Sequence, residues 1–262
     1  MKIVTWNING VRARIGNLTH WLSESAPDIV CLQEIKSADD QFPRAEIEAL
    51  GYNVETNGQK GFNGVALLSK LPFDEVTRGL PGDDADDHAR FIEGVFSTPK
   101  GALRVVSLYL PNGNPVGTDK FSYKLSWMGR LERWAAERLQ LEEALVLAGD
   151  YNVIPEPQDA RFPDNWLNDA LFQPETRQAY RRLKALGFTE AIRATTDDPG
   201  VYTFWDYQAG AWQKNNGIRI DHLLLSPEAA NLLRAASVEK HVRAWEKPSD
   251  HVPVAIELNV AA

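Results

Sequence analysis

The sequence predicts an α/β fold of two packed sheets with helices outside them. Three observations lead there. Segments rich in β-branched and aliphatic residues outnumber helical ones. Several follow one another with no helix between, unlike the strict alternation of a doubly wound parallel sheet. The helical stretches repeat apolar residues at helical intervals, as helices with one face on a core do.

In chain order, KIVTW (2–6) and DIVCLQ (28–33) read as strands. Between them, VRARIGNLTHWLSES carries helical spacing through Val11, Ile15, Leu18 and Leu22. YNVET (52–56), GVALLS (64–69), RFIEGVFS (90–97), ALRVVSLYL (102–110) and ALVLAGD (144–150) follow as strands. KFSYKLSWMGRLERWAAERLQ predicts a long helix over roughly 119–142. A second helix is predicted over about 175–186, ended by Gly187, a residue favoured just past a helix. VYTFW (201–205) and IRIDHLLLS (218–226) read as strands, a short helix follows Pro227, and VPVAIEL (252–258) closes the chain as a strand.

A chain of 262 residues with 44% hydrophobic content is long enough to bury one large core. No Gly/Ser run, charge block or composition shift marks a linker, so one domain over 1–262 is expected. The single cysteine, Cys31, excludes an internal disulfide framework and reads as a small buried hydrophobe. The opening MKIVTWN has no apolar signal core, and no segment is apolar for long enough to span a membrane, so an intracellular, reducing environment is expected. A net charge of −8 argues against coating nucleic acid by bulk electrostatics. It leaves room for a nucleic-acid enzyme with a local basic rim and a carboxylate-rich pocket holding a metal. Part of the acidity, GDDADD at 82–87, reads as solvated loop.

The polar residues fall in a pattern. Asn7 ends the first strand, Glu34 follows the second, and Tyr109 ends LRVVSLY. Asp150 and Asn152 follow ALVLAGD, Asp221 lies within IRIDHLLL, and Asp250 and His251 precede the last strand in PSDHVPV. One such residue alone reads as a cap or turn former. Recurrence at six places is harder to assign to turns, because strand ends in one sandwich converge on a shared edge. Asp150 and Asn152 are two apart, so an extended backbone turns both to one side.

TWNINGVR, DIVCLQEIK, LYLPNGN, AGDYNV, GIRIDHLLLS and PSDHVPV, in that order from residue 3 to about 257, resemble the motif series of the exonuclease III family of apurinic/apyrimidinic endonucleases. That family lies within the endonuclease/exonuclease/phosphatase superfamily. The resemblance implies a four-layer α/β sandwich, two packed mixed β-sheets flanked by helices. It implies a Mg²⁺-dependent nuclease, with Mn²⁺ as a substitute and one or two ions at work. Its substrate would be double-stranded DNA with abasic sites or damaged 3′ ends, cut 5′ to the abasic site by a monomer without membrane attachment. Exonuclease action from 3′ to 5′ and trimming of 3′ blocking groups would accompany it.

By the same resemblance Glu34 is the central metal ligand, with Asn7 beside it and Asp250, Asp150 and Asn152 on the metal side. Hard oxygen donors of this kind suit Mg²⁺. Asp150 would orient and deprotonate the attacking water, and Asn152 would hold that water or an oxygen of the transition state. His251 would donate to a non-bridging phosphate oxygen, its tautomer fixed by Asp221; a rival assignment makes His251 the base. Tyr109 would bind phosphate through its hydroxyl, partly as phenolate. Asn112, Lys60 and Phe62 match phosphate- and backbone-contacting positions. Lys120 and Lys124 read either as part of a basic rim or as a solvated helix face. Phe204, Trp205 and Ile218 match an apolar pocket suited to a flipped sugar without a base. Trp212 would stack on a base, insert into the duplex or pack within its own loop.

His20 and Trp21 read as helix packing, His241 as surface and His88 as solvated loop. His222 neighbours Asp221, but adjacent residues of a strand face opposite sides, which keeps it out of the chemistry. Asn9 stands where some relatives carry a carboxylate, so the charge around the ligands differs here. Two other classes stay open, a phosphoesterase of the same fold acting on lipid or inositol phosphates and a degenerate DNA-binding module. PNGNP, KFSYK and the YTFWDY-to-RID segment favour DNA over the first, and the complete acid, amide and histidine set speaks against the second.

Overall fold

The computed structural model of the protein describes residues 1–261. Its strands begin with β1 (Lys2–Asn7), β2 (Ile29–Gln33), β3 (Asn53–Asn57), β4 (Val65–Ser69), β5 (Glu75–Arg78) and β6 (Phe91–Thr98). They continue with β7 (Gly101–Tyr109), β8 (Ala144–Asp150), β9 (Thr189–Glu190), β10 (Asp221–Leu225), β11 (Leu233–Val238) and β12 (Val254–Leu258). The helices are α1 (Ile15–Ser25), α2 (Arg44–Glu48), α3 (Asp119–Leu139), α4 (Pro174–Ala185) and α5 (Pro227–Leu232).

Two six-stranded mixed sheets result, ordered β11-β12-β1-β2-β4-β3 and β5-β6-β7-β8-β10-β9. The central strands are apolar along nearly their whole length because both faces are covered. Ile3, Cys31, Leu67, Val105, Val146, Leu223 and Ile256 meet between the sheets. On the outer face of the first sheet, Trp6, Val30 and Leu32 receive Leu18, Trp21 and Leu22 of α1. On the outer face of the second, Leu108, Leu147 and Leu224 receive Trp127, Leu131 and Trp134 of α3 and Tyr180 of α4. The α3 residues recur at helical spacing, so one stripe of the helix supplies the contact. The four layers expected from the sequence are therefore present.

The differences lie at the edges. VYTFW is not a strand: Phe204 makes only isolated bridges, to Ile218 and to His251. The segment is a loop held beside Ile218 and His251. β5 and β11 went unpredicted because EVTR is a mostly exposed edge strand and LRAASV follows α5 without a break. Val11 lies in a turn before α1.

Candidate active site

Strand register builds the site. β7 and β8 run parallel with Tyr109 opposite Asp150, and β8 and β10 run antiparallel with Asp150 opposite Asp221. Residues directly opposite one another share a face. Tyr109, Asp150 and Asp221 thus form one row across three neighbouring strands. Gly149 precedes Asp150 because a Cβ there would collide with the Leu108 carbonyl of β7. From the other sheet, parallel β1 and β2 pair Asn7 with Gln33 and bring Glu34 to the same rim.

Asn7 ties the sheets together: its Nδ2 donates to Glu34 Oε1 at 2.8 Å and to Asp150 Oδ2 at 2.9 Å. Its Oδ1 accepts the Asn9 amide at 3.0 Å. Its nitrogen thus holds two carboxylates, while its oxygen accepts one backbone amide and keeps a second lone pair. Burial would raise the Glu34 pKa, but the Asn7 hydrogen bond and the charges of Lys36 and His251 hold it below its usual value. Asp150 is wholly buried, and its pKa is pushed up to about 7 by that burial and by Asp221 and Glu34, against the pull of His251.

His251 is fixed from every side. Its ring Nδ1 donates to Asp221 Oδ2 at 2.8 Å, and Nε2 lies 3.6 Å from Asp150 Oδ2. Its backbone amide donates to Ser249 Oγ, its carbonyl accepts from Trp6 Nε1, and the Phe204 ring packs edge-on at 5.0 Å. Thr203 Oγ1 donates to Asp221 Oδ2 at 2.7 Å. Burial pushes the imidazole pKa down, but Asp221 and Asp150 overcome it and raise it to about 10. The group is an imidazolium at neutral pH. Tyr109 moves the opposite way to the expected phenolate: burial and the charges of Glu34 and Asp150 keep it a phenol.

Asn152 reaches the pocket through a turn rather than a continued strand. Its φ is +46°, its amide donates to Asp150 Oδ1 at 3.0 Å, and its Nδ2 is committed to the Leu110 carbonyl. Its Oδ1 is what it offers the pocket. Glu34 also sits at positive φ, +48°, which asparagine adopts more readily than glutamate. Such a conformation costs a non-glycine residue roughly 1–3 kcal/mol.

Glu34, Tyr109, Asp150, Asn152 and His251 line a cavity of about 210 Å³ with Asn112, Asp250, Phe204 and Ile220. Asp250 stands on its wall, its Oδ1 accepting from Asn9 Nδ2 at 3.3 Å. Phe204 and Ile218 line an adjoining cavity of about 380 Å³. Lys60 and Phe62 are exposed on the β3–β4 loop, where Asn63 and Gly64 bond the segment after Glu34. Lys120 is exposed at the start of α3.

Two substrate-contact expectations need correction, and for Trp212 the structure favours one of the readings left open. Lys124 is fully buried, and its Nζ donates to the Asn112 carbonyl at 3.0 Å and the Asn152 carbonyl at 2.5 Å. It pins two loops instead of joining a basic rim; burial pulls its pKa down to about 7. Trp205 is also fully buried, behind the pocket, with Nε1 on Asn215. Trp212 packs edge-on against it at 5.0 Å beneath Lys240, so it holds its own loop.

Ser249, Thr203 and Lys36 were not singled out in the sequence. Lys36 Nζ lies 3.3 Å from Glu34 Oε2 and bonds Asn9 Oδ1 at 2.7 Å. All three stand inside the quoted motifs, but a hydroxyl or ammonium beside an acid is too common to read alone. His222 is buried and outside the chemistry, as expected, with Nε2 on the Val153 carbonyl at 2.9 Å.

Glu34, Asp150 and His251 bring one ligand-type atom each within 4.8 Å of one another. The imidazolium carries no free lone pair, so the donor set is the carboxylates. A buried carboxylate and a half-buried one sharing one amide, the buried one with a raised pKa, make a surplus of negative charge that a hard divalent cation suits.

Residues 4–251 match the Endonuclease/Exonuclease/phosphatase family. An exodeoxyribonuclease III of Haemophilus influenzae is 35% identical, over 97% of this chain and 98% of its own. A solved AP endonuclease from Archaeoglobus fulgidus is 34% identical with a TM-score of 0.94, covering 99% of this chain and 100% of that one. A 3′ phosphatase from Neisseria, solved with a product DNA hairpin, is 35% identical with a TM-score of 0.95 over 99% of both chains.

Proposed function

Because the chain belongs to the endonuclease/exonuclease/phosphatase family, we propose that it is a Mg²⁺-dependent DNA repair nuclease. It hydrolyses phosphodiesters 5′ to abasic sites and removes nucleotides or blocking groups from 3′ ends, as a monomeric catalytic domain. The observation that carries this is the meeting of Glu34, Asp150 and the Asp221–His251 pair at one rim between two sheets. The names of its relatives, an exodeoxyribonuclease, an AP endonuclease and a 3′ phosphatase with product DNA, support the substrate.

Cutting a phosphodiester needs an in-line nucleophile, neutralised equatorial oxygens and help for the leaving oxygen. Asp150, a buried acid beside Asn152 and His251 in the cavity, is the group placed to act as general base. It orients a water and takes its proton as the water oxygen bonds phosphorus and the bond to the 3′ oxygen breaks. Asn152 Oδ1 steadies that water. His251 faces the anion as an imidazolium, which favours the stabilising role over the rival role of base. The Tyr109 phenol donates to a phosphate oxygen. Glu34 and Asp150, with Asp250 on the wall, would hold a divalent cation, which would neutralise phosphate charge and the departing oxygen as a Lewis acid. Phe204 and Ile218 line the room for a sugar lacking its base, which leaves the stack at reduced cost. Among the described residues, no helix is long and apolar enough to cross a membrane.

The test uses two labelled duplexes, one with an abasic analogue and one intact with a recessed 3′ end, each with Mg²⁺ and with chelator. Incision at the lesion that vanishes with chelator is expected. If neither duplex is cut while a phosphoinositide is, the DNA assignment falls.

A further inference from the structure

We propose that a second cavity, walled by α4, the Pro155–Asp159 turn and Arg219, binds a small tetrahedral oxyanion of the phosphate class. The cavity measures about 60 Å³ and is lined by Tyr180, Arg181, Lys184, Arg193, Arg219, Glu156 and Asp159. It is separate from the catalytic rim and independent of the reaction assigned there. One water needs about 15 Å³ of such space, so there is room for several waters or one oxyanion.

The chemistry of the wall decides between these. Tyr180 Oη and Arg193 Nε are buried without a hydrogen-bond partner, and both are donors. Tyr180 is only 1% exposed, and its hydroxyl lies in the field of Glu190, Arg219 and Asp159. Every nearby carboxylate is already engaged. Asp159 Oδ1 accepts from Arg193 at 2.7 Å and Arg219 at 2.8 Å, while Glu190 Oε2 takes Arg219 at 3.1 Å. Glu156 is shared by Arg177 and Arg181, each at 2.9 Å. Lys184 forms no ion pair among the described residues and lies 5.6 Å above the Tyr180 ring.

Five cations, Arg177, Arg181, Lys184, Arg193 and Arg219, therefore stand against three acids, Glu156, Asp159 and Glu190. Burial keeps the adjacent His222 neutral. A wall with two surplus positive charges and two unpartnered buried groups able to donate, Tyr180 Oη and Arg193 Nε, suits an anion with several acceptor oxygens better than water. The ligand would fasten α4 to the turn behind Asn152 and stabilise the folded chain by linkage.

The test is thermal unfolding of the full chain in sodium phosphate and in sodium chloride at equal pH and ionic strength, with calorimetric titration of inorganic phosphate. The wild type should gain a few degrees in phosphate. Tyr180→Phe removes only the unpartnered hydroxyl, so its Tm in chloride should match or exceed the wild type while the phosphate gain shrinks. Lys184→Gln should shrink that gain as well. His251→Ala, which cripples the catalytic anion site, should retain it. Equal gains in all variants, no gain in the wild type, or loss of the gain in His251→Ala alone would each overturn the proposal. The last would place the phosphate in the catalytic cavity and leave the cavity beside α4 to water.

Discussion

His251 Nδ1 lies 2.8 Å from Asp221 Oδ2, and the far nitrogen of the same ring lies 3.6 Å from Asp150 Oδ2. One imidazole is clamped between two buried acids that belong to adjacent strands of the opposite sheet.

Asp221→Asn tests the clamp. It removes the largest upward influence on an imidazole whose pKa stands near 10 against an ordinary 6.5. The alkaline limb of kcat/KM should move toward lower pH, and the rate near pH 8 should fall by about 10²–10³-fold. The stability sign follows from a raised histidine. Its contribution is complete below about 6.5 and is lost as pH rises through about 10. An alkaline limb unmoved by the substitution would refute the imidazolium role.

Asp150→Asn separates activity from stability. Incision should fall by at least about 10³-fold, since the base and a metal oxygen go together. The metal-free fold should not suffer. The Asp150 pKa is raised from 3.8 to about 7, so the folded state binds more protons than the unfolded one in that interval. Stability then falls as pH rises through it. Urea unfolding of the variant should show a flatter pH dependence there and an equal or higher midpoint at pH 8. A much lower midpoint would show that the charge supports the fold.

Metal binding should be coupled to protons. Asp150 is only half ionised near pH 7 without a cation, so Mg²⁺ affinity should rise with pH up to about 7 and level off above it. Titration calorimetry in buffers of differing ionisation enthalpy would detect the released proton. Affinity that is flat across this range, with no proton released, would remove Asp150 from the donor set.

Lys124→Met and Lys120→Gln should part company. The first leaves the Asn112 and Asn152 carbonyls unpaired in the interior, at a cost of roughly 2–4 kcal/mol by urea unfolding. The second should leave stability alone and, if Lys120 meets the DNA backbone, lower the salt dependence of binding by about one ion. A stable Lys124→Met with weakened DNA binding would restore the rim reading.

Much of this site was legible in the sequence because its polar residues interrupt apolar runs, and strand ends in a sandwich share a rim. The clustering of Asn7, Glu34, Tyr109, Asp150, Asp221 and His251 follows from that pattern, and the long helices from their spacing. What burial alone decides was not legible. Lys124 sits on a helix whose exposed and buried faces both carry charge in the sequence, and only the fold shows its ammonium between two carbonyls. Trp205 was read as a ligand contact, and Trp212 was left between the substrate and its own loop, because an aromatic residue in a loop looks the same whether it faces substrate or packs behind it. The direction of the Tyr109 shift depends on burial and then on two acids distant in the chain, Glu34 and Asp150. Tyr207, whose hydroxyl accepts from Asn9 and Arg14, is likewise invisible without the fold.

The row formed by Tyr109, Asp150 and Asp221 has a consequence for how such a chain tolerates change. Side chains alternate along each strand, so a single inserted or deleted residue within β7, β8 or β10 would swing one member of the row into the apolar interior. The connecting loops carry no such parity. Length variation compatible with catalysis is therefore confined to the segments around the mouth, and a chain of this design can alter which DNA ends it admits while its chemistry stays locked in phase.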